Sequence, residues 1–168
     1  MTRQYTVLIK RSTLLHLRIP FSFLLMPVFF FSVAITGVAD WSAFFVAFVA
    51  VHLFLYPASN GYNSYYDKDE ESIGGLESPP PVDRELWVFS LVFDACALAL
   101  ALLVGWQFAL ALLLYGLVSK AYSHDKVRLK KRPVLSWLVV GFFQGAFMFI
   151  SVAIAVSDMP PGSILTAK

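Results

Sequence analysis

The sequence predicts an all-α protein, a polytopic bundle of transmembrane helices. Of its 168 residues, 58% are hydrophobic and 14% are charged, whereas soluble domains carry about 25% charged residues. The mean hydropathy is +0.70. Apolar runs long enough to cross a hydrocarbon core of about 30 Å alternate with short polar segments. The single cysteine, Cys96, excludes a disulfide framework.

Five apolar runs are predicted to span the membrane within one domain, residues 1–168. A basic segment with interleaved leucines precedes the first run and is typical of an interfacial amphipathic helix. The first run is too long for a signal peptide, whose apolar region has about 7–15 residues. The second run is short, so we expect its helix to continue through Pro57. The predicted spans are 19–38, 41–57, 86–104, 106–122 and 134–156, separated by an acidic loop (58–85) and a basic loop (119–133), among shorter turns.

The positive charges predict the orientation of the chain. Twelve of the thirteen Lys and Arg residues lie in the N-terminal segment and in the acidic and basic loops. Cytoplasmic segments carry an excess of Lys and Arg. We therefore expect a cytoplasmic N-terminus, an external C-terminus and both loops on the cytoplasmic side. The expected location is the bacterial inner membrane, and an organelle membrane is the alternative.

The acidic loop begins with a row of oxygen ligands. Asn63, Asp67 and Glu71 are spaced four residues apart, and Asn60 precedes them. Side chains at i, i+3 and i+4 share one face of a helix. Such oxygens suit Mg²⁺, which takes one or two carboxylates from a protein and completes its shell with water and substrate phosphate. The alternative is a solvated loop without a ligand.

The basic loop offers the complementary charge. Lys and Arg bind phosphate through charge-assisted hydrogen bonds, although a basic loop after a membrane span is also a plain topology signal. On the same side of the membrane, a Mg²⁺ face and a cationic loop together suit an organic diphosphate. The basic residues are Lys120, Lys126, Arg128, Lys130, Lys131 and Arg132.

Asp94 lies in the middle of the third predicted span. A carboxylate inside a membrane is costly and usually faces a bundle interior or a cavity, which makes it a candidate functional residue. The other interpretation is a protonated, hydrogen-bonded packing residue. The sequence leaves both open.

These motifs resemble a known family. Asn63-x3-Asp67-x3-Glu71 after the second span resembles the first Asp-rich motif, Asn-x3-Asp-x3-Asp, of the UbiA-type intramembrane prenyltransferases. Tyr122-Ser123, followed by the basic loop, resembles the Tyr and basic loop of that family. The resemblance implies a bundle of about nine spans around a cavity open to lipid, of which this chain corresponds to the N-terminal part. It also implies Mg²⁺-dependent transfer of a prenyl group from a prenyl diphosphate to a lipophilic acceptor, often an aromatic quinone precursor.

The resemblance also implies roles for individual residues. Asn63, Asp67 and Glu71 would be catalytic and would hold Mg²⁺ together with Asn60. The diphosphate would be bound by Tyr122, Lys126, Arg128 and Lys130. Two departures stand out: Glu71 replaces an Asp, and the second Asp-rich motif of the family is absent from the 168 residues. We therefore expect a C-terminal half as a partner and no activity from this chain alone.

Two other functions stay open at this stage. One is a non-enzymatic membrane scaffold or transporter-like subunit, whose loops bind partners or lipid headgroups. The other is a protein that binds prenyl diphosphates without turnover. In each case we expect contact with membrane lipid and none with nucleic acid.

Overall fold

The computed structural model describes residues 9–159 and Ser163. Within them the chain forms six α-helices, joined by short turns and by two longer loops. The helices are α1 (Arg11–Leu17), α2 (Met26–Thr36), α3 (Trp41–Asp67), α4 (Arg84–Val104), α5 (Trp106–Ser123) and α6 (Pro133–Val156).

The predicted fold class is confirmed, since this part of the chain is helical and forms no β-strand. In the described residues, four helical segments are long and apolar enough to cross a membrane. They are Arg11–Thr36, Trp41–Asp67, Arg84–Val104 and Pro133–Val156. The remaining predicted span, 106–122, is present as α5, but polar residues such as Gln107 and Lys120 lower its hydropathy. That α5 crosses the bilayer stays a prediction.

The first predicted span is not one continuous α-helix. Arg18 adopts a left-handed backbone conformation (φ 46°, ψ 46°) that ends α1. A 3₁₀ segment, Ile19–Leu25, follows, and the α-helical geometry resumes at Met26. Pro20 and Pro27 lie in the first turns of these two segments, because proline has no N–H to bond within a preceding turn.

The helices alternate in direction through the bundle. Gly105 joins α4 to α5 in a tight turn, and a Cβ on Gly116 would lie 3.7 Å from Asp94 Oδ1, as an antiparallel hairpin requires. The Ala39 N–H donates to Val156 O (2.8 Å), so α6 ends beside the turn between α2 and α3. The end of α3 and the start of α6 therefore lie at the opposite end of the bundle.

Small and aromatic side chains fill the core. Fully buried alanines allow close helix packing, as in other membrane bundles, and Phe29 contacts the ring edges of Phe44 (centroids 5.6 Å apart) and Phe48 (5.5 Å). Large apolar side chains such as Trp137 and Leu103 face outward, 75% and 76% exposed. An apolar exterior is what a lipid solvent favours.

Candidate functional site

The second half of α3 presents the amide and carboxylate side chains. Asn60, Asn63 and Asp67 lie on one face of this helix, while Gly61 and Ser64 are buried on the other. Gly61 allows the close crossing with α4, since a Cβ there would lie 2.6 Å from Ser90 Oγ. This tight packing fixes which face of α3 remains for a ligand.

The predicted face does not extend to Glu71. The helix ends at Asp67, and Lys68 takes a left-handed conformation (φ 53°) whose N–H bonds Ser64 O. Glu71 lies exposed in the segment that follows. The prediction of one helical face from Asn60 to Glu71 is therefore wrong beyond Asp67, because the left-handed cap redirects the chain. Whether Glu71 contributes to a metal site stays a prediction.

Gly74 and Gly75 lie in a tight turn beyond the end of α3. Ile73 N–H donates to Leu76 O (2.9 Å), and Leu76 N–H donates to Ile73 O (2.6 Å). Gly75 has a φ of 91°, which favours glycine. The turn returns the chain towards α4.

The basic loop contacts the same face of α3. Lys130 Nζ donates to Asn63 Oδ1 (3.3 Å) and to Asp67 Oδ1. Arg128 Nη2 lies 3.4 Å from Asp67 Oδ1, and its Nη1 binds Asp125 (2.9 Å). The Asp67 side chain is 14% exposed, so these contacts are largely shielded from solvent. The prediction that the two loops share one end of the bundle is confirmed.

The backbone of the basic loop explains why Lys130 reaches α3. Arg128 is left-handed (φ 42°), and the 3₁₀ turn Leu129–Lys131 follows directly. Lys126, in contrast, is exposed, and its N–H donates locally to His124 Nδ1 (3.2 Å). The structure thus brings Arg128 and Lys130 to Asp67 and leaves Lys126 outside this cluster.

A cavity lies beside the cluster formed by Asp67, Arg128 and Lys130. Ser123 Oγ donates to Asn63 Oδ1 (2.7 Å), and the Tyr122 hydroxyl hydrogen-bonds Ser136 Oγ (2.8 Å). The cavity has a volume of about 320 Å³, with amides and hydroxyls on one part of its wall and apolar side chains on another. We call it the site cavity. Its lining includes Arg18, Phe21, Asn60, Asn63, Tyr115, Tyr122, Ser123, Val139, Phe143 and Gln144.

Arg18 and Phe21, which follow α1, line one side of the site cavity. Lys10 pairs with Asp83, and its hydrogen bond lowers the pKa of that carboxyl. Thr13 Oγ1 donates to Glu85 Oε1 (2.9 Å), and His16 Nε2 donates to Pro80 O (2.6 Å). These contacts hold α1 against the chain that leads into α4.

The oxygens of Asn63 and Asp67 fit a hard cation. Across the described ranges, no three His, Cys, Asp or Glu side chains cluster closely enough to hold a metal ion by themselves. The Lys130 ammonium, however, bonds Asn63 Oδ1 and Asp67 Oδ1 together, so both oxygens already converge on one positive charge. A Mg²⁺ ion that takes its other ligands from water and substrate suits such a pair.

Asp94 does not belong to this site. It forms an ion pair with Lys120, whose ammonium also lies 5.2 Å from the centroid of the Tyr62 ring. The pair borders a separate, mainly leucine-lined cavity of about 190 Å³ between α4 and α5. Asp94 thus has a partner inside the bundle, and both interpretations of this residue, functional and packing, stay predictions.

Sequence reasoning missed several residues of the site cavity. Arg18 was assigned to an interfacial helix, Ser123 was noted beside Tyr122 without a role, and Gln144 carried no motif signal. Gln144 is a polar residue inside an otherwise apolar span, and this could have marked it as facing the bundle interior.

Comparison with known proteins supports the resemblance to the prenyltransferases at the level of the family. Neither the curated proteins nor the solved structures gave a match. The model of the UbiA prenyltransferase family matches residues 23–167, which include α3, the basic loop and the site cavity apart from Arg18 and Phe21. With most of its length covered by that match, this chain belongs to the UbiA prenyltransferase family.

Proposed function

We propose that this chain binds a prenyl diphosphate with Mg²⁺ at Asn63 and Asp67 and takes part in transferring its prenyl group to a lipophilic acceptor. One observation carries the proposal: the basic loop places Lys130 directly on the two oxygen ligands of α3, beside the site cavity. Cations and oxygen ligands thus meet at one point at the edge of an apolar bundle. Family membership supplies the reaction class.

The residues have distinct parts in this function. Mg²⁺, held by Asn63 and Asp67, would supply positive charge to the diphosphate. Arg128 and Lys130 are close enough to the same point to bind phosphate oxygens through charge-assisted hydrogen bonds. When the bond between the prenyl carbon and the diphosphate oxygen breaks, these two cations offset the charge left on the diphosphate.

The site cavity serves the other reactant. Val139 and Phe143 give it an apolar wall that excludes water from the reacting carbon. The Tyr122 and Ser123 hydroxyls lie on the polar part of the wall, where they can orient an acceptor. The acceptor forms the new bond to the prenyl carbon and releases a proton.

Binding of geranylgeranyl diphosphate to the detergent-purified chain tests the proposal. We expect binding that requires Mg²⁺ and is lost in Asp67→Asn. Asp158→Asn is the matched control, because Asp158 is exposed and lies just past the end of α6, at the opposite end of the bundle. Binding that does not require Mg²⁺, or that is retained in Asp67→Asn, would contradict the proposal and favour a non-enzymatic membrane scaffold.

Turnover is measured in the same preparation with an aromatic acceptor. Binding with prenyl transfer supports the full proposal. Binding without transfer supports the alternative function, a protein that binds prenyl diphosphates without turnover.

A further inference from the structure

We propose that Arg18 is a second anion-binding residue of the site cavity, holding an oxyanion of a substrate at the Asn60 side. The inference rests on the proposed function, since it concerns the same cavity. It adds a residue that lies outside the Asn63–Asp67–Lys130 cluster and before the part of the chain matched by the family.

The backbone holds the Arg18 side chain towards α3. Arg18 is left-handed, its N–H donates to Leu15 O (3.1 Å), and its own carbonyl accepts from Phe21 N–H (2.8 Å). A non-glycine residue in this conformation is uncommon, and here it forms the cap that ends α1. The conformation directs the guanidinium to Asn60 Oδ1, 3.4 Å from Nη2.

Asp69 and Asp67 act on the charge of Arg18 from a distance, but among the described residues neither forms an ion pair with it. In the described portion of the chain, no carboxylate lies within ion-pairing distance of its guanidinium. Its Nε is buried and has no hydrogen-bond acceptor. The group carries five N–H donors, and Asn60 satisfies one of them weakly. A shielded cation with spare donors on a cavity wall is a site for an anion.

The surroundings define which anions fit. Phe21 lies under the guanidinium, 5.4 Å from its carbon to the ring centroid, and keeps the planar group in place. A planar fork of donors matches a carboxylate or a phosphate. The oxyanion could therefore belong to the diphosphate of the prenyl donor or to an acid group on the acceptor, and both would use the same contact.

Gly74 provides an independent way to perturb Arg18. A Cβ on Gly74 would lie 3.0 Å from Arg18 Nη1 and 2.9 Å from the Phe21 ring. The acidic loop thus packs directly against the guanidinium. Gly74→Ala would displace the side chain and leave its charge present.

The experiment measures binding of two probes to the full chain in detergent by calorimetry. Inorganic diphosphate with Mg²⁺ represents the donor, and benzoate represents an aromatic acid that the apolar wall can accommodate. The test variants are Arg18→Gln, Arg18→Lys and Gly74→Ala. The controls are Arg84→Gln, at an exposed arginine, and Gly141→Ala, where a Cβ meets nothing within 4 Å.

We expect Arg18→Gln to weaken binding of at least one probe by about tenfold, the scale of a charge-assisted hydrogen bond. Arg18→Lys should retain part of the affinity, and Gly74→Ala should weaken the same probe. Loss confined to diphosphate assigns the oxyanion to the donor, and loss confined to benzoate assigns it to the acceptor.

Unchanged affinity for both probes relative to the controls overturns the inference, as does a wild-type chain that binds neither. If Arg18→Gln unfolds, Arg18→Lys and Gly74→Ala decide the matter. The Asp67→Asn variant separates the two proposals. Diphosphate binding that needs Asp67 but not Arg18, with benzoate binding also unaffected, removes this inference alone, whereas diphosphate binding indifferent to Asp67 removes the proposed function.

Discussion

Removing one charge of the Asp94–Lys120 pair should destabilise the α4–α5 hairpin by about 3 kcal/mol. Breaking a buried ion pair costs about 3–5 kcal/mol, because the remaining charge stays desolvated without a partner. The Lys120 and Asp94 side chains retain 16% and 18% of their exposure, which places the estimate at the lower end of that range. The cation–π contact of Lys120 with Tyr62 is too weak to replace the carboxylate.

A double-mutant cycle separates the pair from its surroundings. Asp94→Leu and Lys120→Leu are each expected to lower the free energy of unfolding, while the double variant should be close to wild type, since leucines surround the pair. Unfolding by SDS titration, followed by tryptophan fluorescence, measures each value. Lys10→Gln is the control, because it removes an exposed ion pair and should have a much smaller effect.

Two results would refute this reasoning. If both single variants match wild type, solvent or lipid headgroups already screen the pair. If the double variant is as unstable as the two singles together, the destabilisation comes from lost packing and the charges do not interact.

Three further predictions concern other parts of the chain. Lys130→Gln should tighten Mn²⁺ binding measured by electron paramagnetic resonance without diphosphate, because it frees the Asp67 carboxylate, and should weaken diphosphate binding; a fall in both affinities would contradict a shared position. Gly61→Ala should cost about 1–3 kcal/mol in the same SDS titration, since its Cβ would clash with Ser90 at the α3–α4 crossing; wild-type stability would show that the crossing has spare room. A serine hydroxyl and two backbone N–H groups lower the pKa of the Asp40 N-cap. Its stabilising contribution is thus present above the unfolded pKa of about 3.9 and is lost as the pH falls through the lower folded value. Asp40→Asn, which preserves the cap, should remove that part of the acid dependence of the melting temperature, and an unchanged acid profile would argue against it.

Hydropathy and charge predicted most of the fold. The length and composition of the apolar runs predicted the helices α3, α4, α5 and α6. The distribution of lysines and arginines predicted that the acidic and basic loops lie at the same end of the bundle. The first span was less predictable. Pro20 and Pro27 signal irregularity, but the left-handed conformation of Arg18 leaves no signal in the composition.

The site was predictable where it depended on spacing within one helix. Asn60, Asn63 and Asp67 share a face because residues three and four apart lie on the same side for as long as the helix continues. Glu71 fails the same rule because the helix has already ended at Lys68. Which lysine reaches Asp67 was not predictable from the sequence, since it depends on the conformation of the basic loop.

The partner of Asp94 shows a different limit. Lys120 was grouped with the basic loop because it is near it in sequence, yet it lies on α5 and pairs across the hairpin. That pairing follows from the one-residue turn at Gly105, which sets the register of the two helices. The pairing of Asp94 with Lys120 could have been derived from the sequence by first locating the turn at Gly105.

The π-helical turns in α3 and α6 bear on how the sequence determines the orientation of this site. Ala50–Leu55 in α3 and Phe142–Phe147 in α6 are wound as π-helix, and each such turn accommodates one residue more than an α-helical turn. An α-helix advances by about 100° per residue. Losing one residue at Ala50–Leu55 would let this turn close as ordinary α-helix and leave Asn63 and Asp67 facing Lys130. Losing one residue from the α-helical stretch Trp41–Val49 would instead rotate the end of α3 by about 100° relative to its start. The direction in which the ligand face points therefore depends on the number of α-helical residues upstream of the motif, as well as on their identities.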